Sequence, residues 1–269
     1  MSQRESRFRI IRRSDPKYET DHLRFITVKS PALRARADIT VFIPPDCDQV
    51  AQLPIALLLH GAHGSHWHWA YRAGAHKTAL AMIEEHLIRP IALVMPSDGL
   101  WGDGSGYLPH HSANYERWIM SDVIDCVRET FSCLETQSPL FIAGLSMGGY
   151  GALRLGAKYA EQFSGISVHS SITHFDQLKL FVEEPLELYG QQSEEDKSVL
   201  HHLIKNKNIL PPLHMDCGSN DLLVEHNRKL HQDLSDHGVR HEYVEFPGDH
   251  SWCYWEEHFR DTLSFFESC

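Results

Sequence analysis

The stretch "FIAGLSMGGYGALRLG", residues 141 to 156, gathers five glycines around one serine, Ser146. An apolar run, "SPLFIAG", leads into it, and "MGGYGALRLGAKYAEQF" continues from it with helical periodicity. G-x-S-x-G between a strand and a helix describes a sharp turn. The side chains two before and two after the serine must nearly vanish for strand and helix to approach, and Gly144 and Gly148 supply that room. The turn also sets the Met147 amide in the first turn of a helix, where the helix dipole favours negative charge. Glycine-rich turns of this kind also bind phosphate, but the chain has no GxGxxG and no GK[ST]. Ser146 therefore reads as a nucleophile.

The flanking segments extend the same architecture. "RFITVKS" and "LRARADITVFIPP" alternate apolar and polar residues around Pro31, which predicts an antiparallel opening hairpin, with "SRFRIIRRSD" as an edge strand. "PIALLLH", "PIALVMP", "FSGISVHSS", "PPLHMDCG" and "RHEYVEF" read as further strands, the first two apolar enough to be buried on both faces. "GAHKTALAMIEEHLI", "NYERWIMSDVIDCVRETF", a segment from about Glu225 to Asp236 and "SWCYWEEHFRDTLSFF" read as helices. Strands alternating with helices predict an α/β fold with a mostly parallel central sheet, helices on both faces and antiparallel N-terminal strands. A chain of 269 residues fits one such domain, 1–269. Poor periodicity between Ser171 and Pro211 predicts an excursion over the sheet, with a short cap at about 173–207.

Composition narrows the partners. With 25 Lys and Arg against 36 Asp and Glu, the net charge of −11 argues against nucleic acid. No uncharged apolar run reaches 18 residues and no signal-peptide pattern opens the chain, so a cytoplasmic location away from membranes is expected. The cysteines at 47, 126, 133, 217, 253 and 269 have no CxxC spacing and read as reduced, mostly buried thiols. "HGAHGSHWHW", residues 60 to 69, holds four histidines but lacks HExxH, HxHxDH and a cysteine pair, so neither metal nor cofactor is expected.

A serine nucleophile needs a base, and the base needs an orienting acid, in the order Ser, Asp or Glu, His on this architecture. In "HMDCGSNDLLVEHNRKL", Asp221 follows a strand and a turn and directly precedes a helix. Asp216 is the rival carboxylate, but it lies inside the strand, where its side chain would point across the sheet. As an alternative, Asp221 would only cap the following helix. In "EFPGDHSWCYW", His250 follows the last strand, whereas His241 precedes that strand and His258 lies within a helix. Asp249 reads as a turn residue. The second donor for a developing oxyanion is expected from the loop "HGAHG", through the Ala62 N–H beside that of Met147, with His60 and His63 hydrogen bonding within the loop.

These motifs together resemble the esterase D, or putative esterase, family of α/β-hydrolases, which includes tributyrin-type esterases, feruloyl esterases and S-formylglutathione hydrolases. The resemblance runs from about Arg34 to Phe266 and rests on "LLLHGAHGSHWHW", "YERWIMSDVIDCVRETF", "AGLSMGGYGALRLG", "CGSNDLLVEHNRKL" and "FPGDHSWCYW". It implies the α/β-hydrolase fold, Ser146 as nucleophile, Asp221 as acid, His250 as base, and the amides of Ala62 and Met147 as oxyanion hole. The S-formylglutathione hydrolase branch resembles SGLTC and GHSMGGHG where this chain has "HGAHG" and "GLSMGGYG".

The function expected is serine carboxylesterase activity on short-chain acyl esters of small molecules through an acyl-serine intermediate. An S-formylglutathione hydrolase-like thioesterase or an acetyl or feruloyl sugar esterase is the alternative within the class. An acyltransferase or a non-catalytic binding protein is the alternative outside it. Trp67, Trp101, Tyr107 and Trp252 are the aromatic candidates for substrate contact. An N-terminal edge strand leaves a homo-oligomer open.

Overall fold

A computed structural model describes residues 6–190 and 192–269. Residues 1–5 and 191, which fall within the sequence readings of the whole domain and of the cap, lie outside the described residues. The strands are β1 (Ile11–Arg13), β2 (Leu23–Lys29), β3 (Arg36–Phe42), β4 (Ile55–Leu59), β5 (Ala92–Pro96), β6 (Leu140–Leu145), β7 (Gly165–His169), β8 (Leu213–Gly218) and β9 (Glu242–Phe246). They form one nine-stranded sheet in the order β1-β2-β3-β5-β4-β6-β7-β8-β9. β1 to β3 and the β3–β5 pair are antiparallel, with Ile11 opposite Val28 and Val41 opposite Val94. Every pair from β5 through β9 is parallel. This is the α/β-hydrolase arrangement, with the antiparallel strands at the N-terminal edge.

Short α1 (His68–Tyr71) leads into α2 (Ala75–Glu84); α3 (Tyr115–Arg117) and α4 (Ile124–Thr130) flank a wider turn; α5 (Met147–Lys158) follows Ser146. Next come α6 (Glu194–Lys197), α7 (Val199–Lys205), α8 (Val224–Asp236) and α9 (Trp252–Ser268). Alternation along the central strands divides their side chains between two cores. Ile55, Leu57 and Leu59 of β4 join Val123, Leu153 and Leu234 on one face, while Ala56 and Leu58 join Trp69, Phe259 and Phe266 on the other. Burial on both faces is why these strands are apolar throughout. Leu57 and Leu58 are both 0% exposed, and truncating either to alanine should cost about 2–5 kcal/mol.

Two elements differ from the sequence reading. Trp118–Val123 is a π-helical turn inside the expected straight helix. The widened turn accompanies an inward Asp122, whose carboxylate accepts from the Ser30 hydroxyl at 2.5 Å and the Ala32 amide at 2.9 Å. Within 171–211, α7 belongs to the core, because Val199 and Leu203, four apart on one helix face, are 1% and 0% exposed. The other helical pieces among the described residues of that segment are two short 3-10 turns, Phe175–Leu180 and Leu186–Tyr189, and α6. No helix among the described residues is long and apolar enough to cross a membrane.

Candidate active site

Ser146 stands between β6 and α5 with φ 53° and ψ −119°, a left-side conformation that strains any residue with a Cβ. Three backbone hydrogen bonds hold it there. Its N–H donates to His169 O at 3.1 Å, and its carbonyl accepts from Tyr150 N–H at 3.2 Å and Ile172 N–H at 3.1 Å. The glycines answer a steric demand: a Cβ on Gly144 would lie 2.1 Å from Gly148 O, and one on Gly148 would lie 2.1 Å from Leu59 O. Strand β6, helix α5 and the end of β4 thus touch backbone to backbone.

Asp221 lies in the turn after β8, where its N–H donates to Gly218 O at 3.0 Å. Its side chain is 0% exposed. His250 follows β9, and the two loops are tied directly by Asn220 N–H donating to Gly248 O at 2.8 Å. His250 Nδ1 lies 3.0 and 2.9 Å from the two Asp221 carboxylate oxygens, and its Nε2 lies 3.0 Å from Ser146 Oγ. The serine, histidine and aspartate therefore form one hydrogen-bonded line across three strand ends. Asp221 Oδ1 also accepts from Leu223 N–H at 2.8 Å, so the carboxylate is held on its other side by the start of the next helix.

The rival carboxylate faces elsewhere. Asp216 is fully buried, accepts from Tyr254 OH at 2.8 Å and lies 2.7 Å from His169 Nδ1. It joins β7 and β8 to α9, and burial beside its charge pushes the Tyr254 hydroxyl far above its usual range. His258 stacks on Phe246 with ring centroids 4.1 Å apart and His241 pairs with His231 at 2.8 Å, whereas the serine hydroxyl pairs with His250.

The "HGAHG" turn lies against the serine, since a Cβ on Gly61 would be 3.3 Å from Ser146 Cβ. Its orientation is set by His60, which is 1% exposed. The ring lies with Nδ1 2.8 Å from Gly61 O, and Gly64 N–H donates to the same oxygen at 3.2 Å. Asp98 N–H donates to His60 Nε2 at 2.9 Å, which leaves Nδ1 to carry the proton. Burial pushes the His60 pKa down, against the opposing charge of Asp98, so the ring is neutral and keeps this tautomer. Because C=O and N–H of a trans peptide point opposite ways, pinning Gly61 O turns the Ala62 N–H away from the ring. Met147 N–H, at the first helical position, has no carbonyl within the helix to bind. Neither amide has a hydrogen-bond partner among the described residues, and Met147 itself is 0% exposed.

Of the other histidines of the turn, His66 and His68 are hydrogen bonded, while the His63 side chain is 61% exposed and, against the sequence expectation, makes no hydrogen bond within the loop among the described residues. His66 Nδ1 pairs with Thr40 Oγ1 at 2.8 Å, Ser65 N–H donates to His68 Nδ1 at 2.7 Å, and His63 Nε2 lies 3.6 Å from Asp103. His68 stacks between Trp67 at 4.0 Å and Trp252 at 5.7 Å, and Arg72 lies over Trp252. Trp67, 39% exposed, and Trp252 therefore form an aromatic stack beside the turn. Trp101 packs edge-on against His110 and Tyr189. Tyr107 corrects its sequence reading as a pocket residue. It is 0% exposed, and its hydroxyl donates to His60 O at 2.8 Å, so it braces the turn from beneath.

Two residues at His250 escaped the sequence. Phe181 stacks on the imidazole with centroids 5.2 Å apart and an interplanar angle of 30°, and Trp255 meets it edge-on at 5.0 Å. Trp255 follows the histidine on α9, a proximity the motif could have suggested. Phe181 comes from the poorly patterned 173–207 segment, where periodicity carried no signal. A cavity of about 580 Å³ lined by Arg13, Glu19, His22 and Arg24 includes none of Ser146, Asp221 and His250 in its wall.

Residues 30–266 match the family model described as "Putative esterase". Among curated proteins, an acetyl esterase of Caldicellulosiruptor saccharolyticus is 29% identical over 224 residues, covering 77% of this chain and 80% of that protein. Among solved structures, a ferulic acid esterase superposes with a TM-score of 0.79 at 22% identity, covering 91% of this chain and 97% of that one. A fluorophosphonate-binding serine hydrolase of Staphylococcus aureus, in a substrate-bound structure, superposes with a TM-score of 0.79 at 24% identity and the same coverage.

Proposed function

The chain belongs to the Putative esterase family, and from that premise we propose that it is a serine carboxylesterase hydrolysing short-chain acyl esters through an acyl-serine intermediate. The observation that carries the reading is the line Ser146 Oγ–His250 Nε2–His250 Nδ1–Asp221, every step at 2.9–3.0 Å. Ser146 Oγ attacks the ester carbonyl while His250 Nε2 takes its proton. Asp221, buried and held by Leu223 N–H, keeps the Nδ1–H tautomer and balances the imidazolium. The amides of Ala62 and Met147 receive the negative charge on the carbonyl oxygen, where each donor is worth roughly 100-fold or more in rate. His250 returns its proton to the departing alcohol, then activates water to release the acid and free the serine.

A sugar ester is the second reading of the substrate. The exposed Trp67, stacked on His68 beside the turn, supports it as a flat apolar face for a ring-shaped alcohol. The experiment is hydrolysis of p-nitrophenyl esters from acetate to decanoate by wild type and Ser146→Ala. The expected result is turnover that favours acetate and butyrate and is absent in the variant. Equal rates in both proteins, or a preference for decanoate, would overturn the mechanism or the chain-length assignment respectively.

A further inference from the structure

One short loop touches both proposed halves of the catalytic machinery and the cap segment. Asp103 O accepts from His63 N–H at 2.6 Å, one residue beyond Ala62. A Cβ on the next residue, Gly104, would lie 2.4 Å from Met147 Sδ and 3.6 Å from Ala62 Cα. The loop thus bears on the two residues whose amides are proposed to hold the oxyanion.

The opposite side of the loop is gripped by the cap. Asp103 N–H donates to the Glu184 carboxylate at 3.2 and 3.1 Å, and Glu183 N–H donates back to Asp103 Oδ2 at 2.8 Å. Tyr189 OH donates to Gly104 O at 2.8 Å. Gly102 has φ 52°, and a Cβ there would lie 2.1 Å from Glu184 Oε1, so the carboxylate occupies the space a side chain would take. Three residues before Glu184, Phe181 stacks on His250.

We propose that Asp103 and Glu184 form a reciprocal clasp, and that they are positioning residues which set the oxyanion turn and the Phe181 cover of His250 together. The inference rests on the esterase reading for its kinetic consequence and on the loop geometry for its existence. Asp103 meets the turn through its own carbonyl and the cap through its amide and carboxylate, so a loosened cap frees the same loop that braces Ala62 and Met147. Oxyanion geometry is felt mainly in the transition state, so a loosened clasp lowers kcat more than it raises KM.

The test uses Asp103→Ala, Glu184→Ala, the double variant, and Asp103→Asn and Glu184→Gln, which keep a carbonyl acceptor. With p-nitrophenyl acetate, each alanine variant is expected to lose about tenfold in kcat with KM within about twofold. The double variant should be no worse than about threefold below either single, because both break one clasp. The amide variants should recover most of the rate. Single-variant losses that multiply, or a lowered Tm with unchanged kcat, would overturn the proposal. Amide hydrogen exchange at His63 and Glu183 reads the clasp without any ester. Faster exchange in Glu184→Ala supports it and unchanged exchange refutes it, even if wild type leaves p-nitrophenyl acetate intact, a result that would count against the esterase reading instead.

Discussion

Replacing Gly148 by alanine adds one methyl group at one of the two most crowded backbone contacts of the site. The new carbon would lie 2.1 Å from Leu59 O, 2.5 Å from Leu59 C and 2.6 Å from His60 O. Real Cβ contacts stay above 3.0 Å, so about 0.9 Å must be made up by moving α5 away from the end of β4. The atoms in the way are backbone, so no rotamer change relieves the clash. Overpacking of this kind costs about 1–3 kcal/mol, and about 2–4 °C of Tm for each kcal/mol in a chain of this size class. The same displacement separates the first turn of α5, with Met147 N–H, from the turn carrying Ala62 N–H. A misplacement near 1 Å should cost about 100-fold in kcat. The assay is p-nitrophenyl acetate turnover beside a thermal melt, with Gly165→Ala as the control. The atoms nearest a methyl on Gly165 are side-chain atoms, Cys269 Sγ and Phe141 Cδ1, at 3.2 Å. If Gly148→Ala keeps wild-type kcat and Tm, the backbone-on-backbone packing argued for the serine turn is wrong.

Other perturbations separate chemistry from support. Asp221→Asn should lose about 10³–10⁴ in kcat by disturbing the imidazole tautomer, whereas Asp216→Asn should lower Tm with kcat within about tenfold; equal kcat losses would mean the acid has been misassigned. Phe181→Leu keeps an apolar cover over His250 but removes the aromatic face that favours the imidazolium, so kcat/KM should fall about 2–5-fold, measured against wild type across pH 6–8. Burial lowers the pKa values of His60, His76 and His214 below 6.5, so between those lowered values and 6.5 the unfolded chain binds protons that the folded chain does not. Their contribution to stability is therefore complete above about pH 7.5 and falls away as pH drops below 6.5, which Tm measured from pH 8 to pH 5 will show. His76→Leu should flatten that slope without loss of Tm at pH 8, since both ring nitrogens lack a hydrogen-bond partner among the described residues.

Positions that follow from local pattern were legible in the sequence. The apolar runs around Leu57, Val94 and Ile142 announced buried parallel strands, and the alternation in Leu23–Lys29 and Arg36–Phe42 announced the antiparallel edge. Ser146, Asp221 and His250 could be picked out because each sits at a strand end, in a turn with its own glycines. Side-chain direction was the harder quantity. Tyr107 sits in a glycine-rich loop near the serine, yet positive φ at Gly106 and at Tyr107 itself accompanies a ring turned into the core. Trp118–Val123 has ordinary helical periodicity, and the wider turn answers to contacts of Asp122 made 90 and 92 residues away. The contacts of the 173–207 segment were illegible for a related reason. Phe181, Glu184 and Tyr189 are spaced for contacts with other segments, so no repeat along their own chain reveals them.

The order of strands along the chain also fixes when catalytic competence can arise. Ser146 follows β6, next to the middle of the sheet, but its proposed base follows β9, an edge strand, and is backed by α9. A polypeptide synthesised only as far as residue 241 could already build β1 to β8 and carry both the proposed nucleophile and the proposed acid, with Phe141 and Leu145 still lacking their cover of Phe259 and Phe266. Such a chain holds an unactivated hydroxyl. Hydrolytic power would come late in synthesis, in the same docking event that closes the second core, so a nascent or truncated copy stays inert until the fold protecting it is in place.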